Sequence, residues 1–142
     1  MEIRSPETDE EWDMYYDLRY RILREPLDQP RGSERNELDA IGVHFALFEN
    51  DRICAIARLD QADEITGQVR FVAVDDIYRG KGYGRLIMDA CENASQERGD
   101  LKMMLQARDY AVDFYEHIGY TLKEETHLLF GVLQHFKMEK NY

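Results

Sequence analysis

The sequence predicts a mixed α+β protein with a βαβ unit in its second half. Three observations carry that reading. Apolar residues recur at helical spacing in separate stretches along the chain. Between and after these stretches lie short apolar and β-branched runs broken by turn residues. One such run, "VRFVAV", leads through the glycine-rich "YRGKGYG" straight into an amphipathic stretch, as a strand does when it hands over to a crossover helix.

Taken in order, "EIR" is a short strand. Thr8 is a helix N-cap, with Glu11 as its capping-box partner. Trp12, Tyr15, Tyr16, Arg19 and Ile22–Leu23 then fall at helical spacing, and Pro26 stops the helix. "DQPRGSERNELDAIG" is polar and carries proline and glycine, so it predicts a loop with one helical turn at Ser33–Leu38. "VHFALFENDRICAIARLDQ" predicts two strands joined at "ENDR". A turn at "DEIT" precedes a strand from Gln68 to Val74. A helix from about Gly82 to Glu97 carries Leu86, Ile87, Ala90, Cys91 and Ala94 on one face, and Gly99 ends it. "LKMMLQA" is a short buried strand, and "RDYAVDFYEHIGY" is a helix stopped at Gly119. "TLKEETHLLFGVLQHFKMEK" predicts two strands with a kink or bulge near Gly131. No repeat or long linker interrupts this order, so a single domain over residues 1–142 is expected.

Composition bounds the function. The chain has 142 residues, 44% hydrophobic and 33% charged, with a net charge of −11. Such acidity disfavours nucleic acid and anionic membrane as partners, because both attract basic surface. It suits a cationic amine or basic peptide, or simply keeps the protein in solution. No apolar run approaches the ~20 residues of a membrane span, and the acidic N-terminus lacks a secretory core. Cys54 and Cys91 lie in apolar stretches and make no disulfide framework, so they read as inert thiols in a reducing, cytoplasmic compartment. The histidines at 44, 117, 127 and 135 have no ligand spacing, and no metal is expected.

Positive charge gathers against this background at Arg79, Lys81 and Arg85, interleaved with Gly80, Gly82 and Gly84. A helix N-terminus carries unpaired N–H groups and partial positive charge. Glycines ahead of it let the backbone close around an anion such as a diphosphate. The spacing is not the dinucleotide fingerprint G-x-G-x-x-G, and no G-K-[ST] of a Walker loop occurs.

"VAVDDIYRGKGYGRLIMDACE" resembles the acetyl-CoA-binding motif of the GCN5-related N-acetyltransferases (GNAT), written [RQ]-x-x-G-x-[GA], with Arg79, Gly82 and Gly84 at its fixed positions. "LQARDYAVDFYEHIGYTLKEE" is similar to the second signature of that family, A-x-x-F-Y-x-x-x-G-[FY], filled by Ala111, Phe114, Tyr115, Gly119 and Tyr120. The resemblance runs from Val43 to the C-terminus. "LRYRILREPLDQP" and "GVLQHFKMEK" are further similar to the ElaA-like branch, which usually ends G-I-P-H; here one extra residue separates Gly131 from His135.

The resemblance implies a GNAT-type acyl-CoA N-acyltransferase fold, a mostly antiparallel sheet flanked by helices and splayed between its fourth and fifth strands. It implies acetyl-CoA as co-substrate. Val72, Ala73 and Val74 would pair with the pantetheine arm, and the segment Arg79, Gly80, Lys81, Gly82, Tyr83, Gly84 and Arg85 would hold the diphosphate. Gln106 and Phe114 would line the cofactor channel. A strand N–H near Val74 would polarise the thioester carbonyl, and Tyr115 would protonate the departing thiolate. A phenol near pKa 10 is protonated at neutral pH and can do this.

The base stays open among Glu64, Asp75, His44 and His135. Arg19, Arg21 and Arg24 of the first helix shape an acceptor pocket or form a solvated face. The expected activity is acetyl transfer to a small-molecule or protein amine by direct attack in a ternary complex. The alternative is a non-catalytic acetyl-CoA sensor. A homodimer is compatible with the family resemblance.

Overall fold

Local sequence signals place the ends of most elements. A computed structural model describes Met1–Tyr142. In chain order it contains β1 (Glu2–Arg4), α1 (Asp9–Leu23), β2 (Val43–Glu49), β3 (Arg52–Asp63), β4 (Thr66–Val74), α2 (Tyr83–Glu97), β5 (Lys102–Arg108), α3 (Val112–His117), β6 (Thr121–Leu129) and β7 (Leu133–Asn141). Thr8 and Glu11 form the capping box that starts α1. The β2–β3 turn puts Asn50 and Asp51 at φ of 48° and 65°. These two residue types tolerate the left-handed region, which a two-residue hairpin turn requires.

The strands form one sheet in the order β1-β2-β3-β4-β5-β7-β6, antiparallel everywhere except between β4 and β5. Side chains alternate across it. Leu47, Ala55, Ala57 and Leu59 join Ile87, Met88 and Cys91 of α2 in the core of one face. Ala46, Phe48, Ile53 and Ile56 join Tyr15, Leu18 and Leu23 of α1 on the other. Each face of the sheet thus buries one helix stripe.

The parallel pairing is short. It runs from Thr66 opposite Lys102 to Val69 opposite Leu105 and ends there. β4 continues beside β3, and β5 continues beside β7. The two strands therefore diverge into a wedge. Its physical origin is a bulge: the β3–β4 register shifts between Ile56 and Arg58, and Phe71 on β4 takes a φ of 56°. A bulge bends its strand and raises the local twist, which turns β4 away from β5 just past their last pair.

Four expectations need correction. The helical turn before β2 lies at Glu37–Ala40 rather than Ser33–Leu38, because Asn36 and Asp39 cap it reciprocally. The buried stripe of α2 is Tyr83, Ile87, Met88, Cys91 and Ser95; Leu86, Ala90 and Ala94 are half-buried at its margin. The helix is rotated because Glu92 also turns inward, where it accepts from Tyr120 Oη and Lys140 Nζ, both at 2.8 Å. The third helix is α-helical only over Val112–His117, after a tighter turn at Asp109–Ala111. Near Gly131 the chain makes a hairpin turn with Phe130 and Gly131 at φ of 52° and 72°. The register shifts of that hairpin lie further back, between Leu122 and Glu124 and between Glu125 and Leu128.

Candidate functional site

The wedge and the start of α2 bring together most residues singled out in the sequence. Val72 to Val74 lie on β4 beyond its pairing with β5. Amide direction alternates along a strand. Asp75 N–H donates to Cys54 O of β3 at 2.9 Å, so the Val74 N–H points to the opened side.

The segment after β4 leads into α2 with its backbone uncapped. The N–H groups from Gly80 to Arg85 donate to no acceptor in the protein. Gly82 occupies the N-cap position at φ 82°, with no side-chain cap and no acidic residue in the first helical turn. Helix α1 is the opposite case, with Asp9, Glu10 and Glu11 in its first turn. A Cβ added to Gly80 or Gly82 would meet open space, and both sit at positive φ. A bare set of donors, positive helix end and exposed Arg79, Lys81 and Arg85 matches what a diphosphate needs. Gly84 has a different part: a Cβ there would lie 3.2 Å from Phe114 Cζ and 3.6 Å from Val74 Cγ2. It lets α2 sit close to β4 and α3. Tyr83 turns its ring into the core, leaving its N–H to the loop.

A cavity of about 200 Å³ occupies the wedge itself, reached by Val72, Gln106, Tyr115 and His135 among others. Tyr115 is 8% exposed. Burial, then the neighbouring Cys91 and Tyr110, push its hydroxyl above the ordinary phenol value, so it stays protonated. Gln106 Oε1 accepts from Thr126 Oγ1 at 2.6 Å, and Phe114 packs edge-on to Tyr115 with ring centres 5.1 Å apart.

Geometry also sorts the candidate bases. Glu64 is exposed in the β3–β4 turn. Asp75 pairs with Arg21 at 3.1 Å and caps the turn after β4, outside the cavity. His44 has both ring nitrogens engaged, with Tyr15 Oη and Asp39 O, each at 2.8 Å. His135 reaches the cavity, and its Nδ1 lies 3.1 Å from Leu133 O. A carbonyl only accepts, so Nδ1 carries the proton and Nε2 keeps its lone pair. Burial, then His127, Arg108 and Arg24, hold this imidazole below its usual pKa, so it is neutral at pH 7.

The first-helix arginines separate. Arg19 is fully buried and pairs with Asp39 at 2.9 Å, so it is neither pocket nor solvated face. Arg21 is committed to Asp17 and Asp75. Arg24 lines the cavity, joined there by Arg70 and Arg108, which the sequence reading did not single out. Phe71 was also missed. No local signal announces a left-handed phenylalanine, since that conformation is set by the shifted pairing of β4 with β3.

Comparison with known proteins identifies the family and the fold. The acetyltransferase (GNAT) domain family matches residues 28–142. YjcF of Bacillus subtilis (strain 168), an N-acetyltransferase whose own role is uncharacterised, is 26% identical over 129 residues, spanning 91% of each chain. The crystal structure of an aminoglycoside 6′-N-acetyltransferase complexed with coenzyme A superposes with a TM-score of 0.83 at 15% identity, covering 99% of this chain and 97% of the other. That of Escherichia coli ElaA superposes with a TM-score of 0.78 at 18% identity, with the same coverage. No helix of the present chain is long and apolar enough to cross a membrane.

Proposed function

The chain belongs to the GNAT family of N-acetyltransferases, and from that premise we propose that it acetylates a primary amine by direct attack in a ternary complex with acetyl-CoA. The free amides from Gly80 to Arg85, opening beside a wedge that holds Tyr115 and His135, are the observation that supports this reading. Acetyl-CoA supplies an acetyl group activated as a thioester. The loop amides with Arg79, Lys81 and Arg85 anchor its diphosphate. Val72 to Val74 offer an unpaired strand edge to the pantetheine arm.

The chain's own residues then divide the chemistry. The amine forms the new N–C bond as the C–S bond breaks. Val74 N–H donates to the carbonyl oxygen as negative charge develops there. His135 Nε2 takes the proton that the amine loses, directly or through one water. Tyr115 gives its phenolic proton to the thiolate. No residue changes oxidation state, and the two protein protons exchange with solvent between turnovers.

The test follows free thiol release over a panel of primary amines. Tyr115→Phe is expected to lower kcat by about 10²-fold while leaving the KM for acetyl-CoA unchanged. A variant that keeps full kcat would remove Tyr115 from the chemistry. Tight acetyl-CoA binding with no thiol release from any amine would favour a sensor instead.

A further inference from the structure

The wall of the wedge cavity has the wrong sign for this protein. The chain carries a net charge of −11, yet the cavity is lined by Arg24, Arg70 and Arg108 and by no aspartate or glutamate. None of the three forms an ion pair, whereas Arg19 and Arg58, a short distance away, share Asp39.

These guanidiniums are held in place by neutral groups. Arg24 Nη1 and Arg108 Nη2 donate to the same carbonyl, Leu23 O at the end of α1, at 3.1 and 2.7 Å. Arg24 Nε donates to Ser33 O at 3.1 Å. Arg24 and Arg70 lie 5.5 and 5.3 Å from the centre of the Phe71 ring. The arrangement fixes like charges together without neutralising them. Burial, then Arg108, Arg19 and Arg70, push Arg24 down to about 10, and burial with Arg58 lowers Arg70. Asp60 and Asp39 offset part of the charge at Arg70, and Glu34 part of that at Arg24. Half-buried guanidiniums with no carboxylate in contact are still unfavourable until an anion joins them, and their planar forks match carboxylate and phosphate.

The cofactor loop does not supply that anion. Residues Gly80 to Arg85 lie at the start of α2 and take no part in lining this cavity. We infer that the acceptor amine carries a carboxylate or phosphate group, which Arg24, Arg70 and Arg108 seat beside the reacting centre. This rests on the acetyltransferase reading and names its substrate class. The same positive field would repel a bare polyamine. It would also favour the neutral form of a bound amine, which is the nucleophilic one. The overall acidity of the chain suits a cationic acceptor or simply keeps the protein in solution, and the local charge of the cavity argues against the first.

The test compares paired acceptors by thiol release: amino acids against their amides, and amino sugars against their 6-phosphates, with putrescine as a dication. The anionic member of at least one pair is expected to exceed its partner about 10-fold or more in kcat/KM, the scale of a charge-assisted hydrogen bond. Arg70→Gln breaks no hydrogen bond. It should raise the acceptor KM by a similar factor while leaving the KM for acetyl-CoA unchanged and the thermal midpoint no lower than that of the wild type. Equal or better turnover of the uncharged members or of putrescine would overturn the inference and leave the acetyltransferase reading standing.

A second arm needs no turnover. Glutamate and inorganic phosphate are titrated into the protein saturated with coenzyme A. Binding of either anion that is lost in Arg70→Gln and Arg108→Lys supports the inference. Absence of binding to the wild type, or equal binding to both variants, refutes it.

Discussion

His44 and His135 carry the same ring, and burial is the first cause that lowers the basicity of each. What separates them is a free lone pair. His44 is tied at both nitrogens, and His135 at Nδ1 alone. The sign of the pH effect follows. His135 is neutral above its depressed pKa, so activity holds on the alkaline side and falls as acidification fills Nε2. The acid limb of kcat/KM is therefore expected below the ordinary imidazole value of about 6.5. His135→Asn should remove that limb and lower the rate by about 10²-fold, as read from a pH–rate profile. An unchanged limb in the variant would assign it to another group. Stability moves in the same direction: the unfolded chain takes the proton more readily, so the contribution of neutral His135 is intact above about 6.5 and lost as pH falls toward the folded value. At this scale the F-Y pair pointed to Tyr115 from sequence alone, but four bases looked equivalent. Their difference lies in which partners the fold brings to them: Tyr15 to His44 and Arg21 to Asp75 from far along the chain, and to His135 Nε2 none.

Two helices show how the start of an element can be closed or left open. Helix α1 closes its N-terminus with Thr8, Glu11 and a run of acids. Helix α2 begins at a left-handed glycine with nothing capping it. This contrast was legible in the sequence because a helix start is decided within a few residues. What sequence could not separate were the roles of the glycines. Gly80 and Gly82 are needed for backbone conformation, and Gly84 for packing against Phe114. Gly82→Val forces a β-branched residue to φ 82°, a strain on the order of 1–2 kcal/mol. The expected outcome is a thermal midpoint lower by a few degrees and loss of acetyl-CoA binding by calorimetry. Affinity retained at the wild-type level would show that the loop amides do not hold the cofactor. Gly84→Val should instead push Phe114 aside, read as a lower thermal midpoint.

At the scale of the whole molecule, a buried charge network ties the long connection after α1 to the sheet. Arg58 is fully buried, pairs with Asp60 at 2.8 Å, and shares Asp39 with Arg19. Asn36 Oδ1 accepts from the same guanidinium at 2.7 Å. Arg58→Ala would strand Asp60 and leave Asp39 to Arg19 alone, a loss of about 3–5 kcal/mol, measurable by chemical denaturation. A loss below about 1 kcal/mol would mean that water reaches the network and that the connection is held by packing.

The order of strands and helices, the capped start of α1, the β2–β3 turn and the uncapped glycine entry to α2 were all determined by the sequence itself. Each depends on residues near in the chain, whose preferences act over one or two turns. The wedge was decided by tertiary structure. It arises where a bulge at Phe71 ends the pairing of β4 with β5, and no local preference of phenylalanine encodes that. The same holds for the inward turn of Glu92, the free nitrogen of His135 and the gathering of Arg24, Arg70 and Arg108. These come from α1, β4 and β5, and only the closing of the sheet brings their charges within reach of one another.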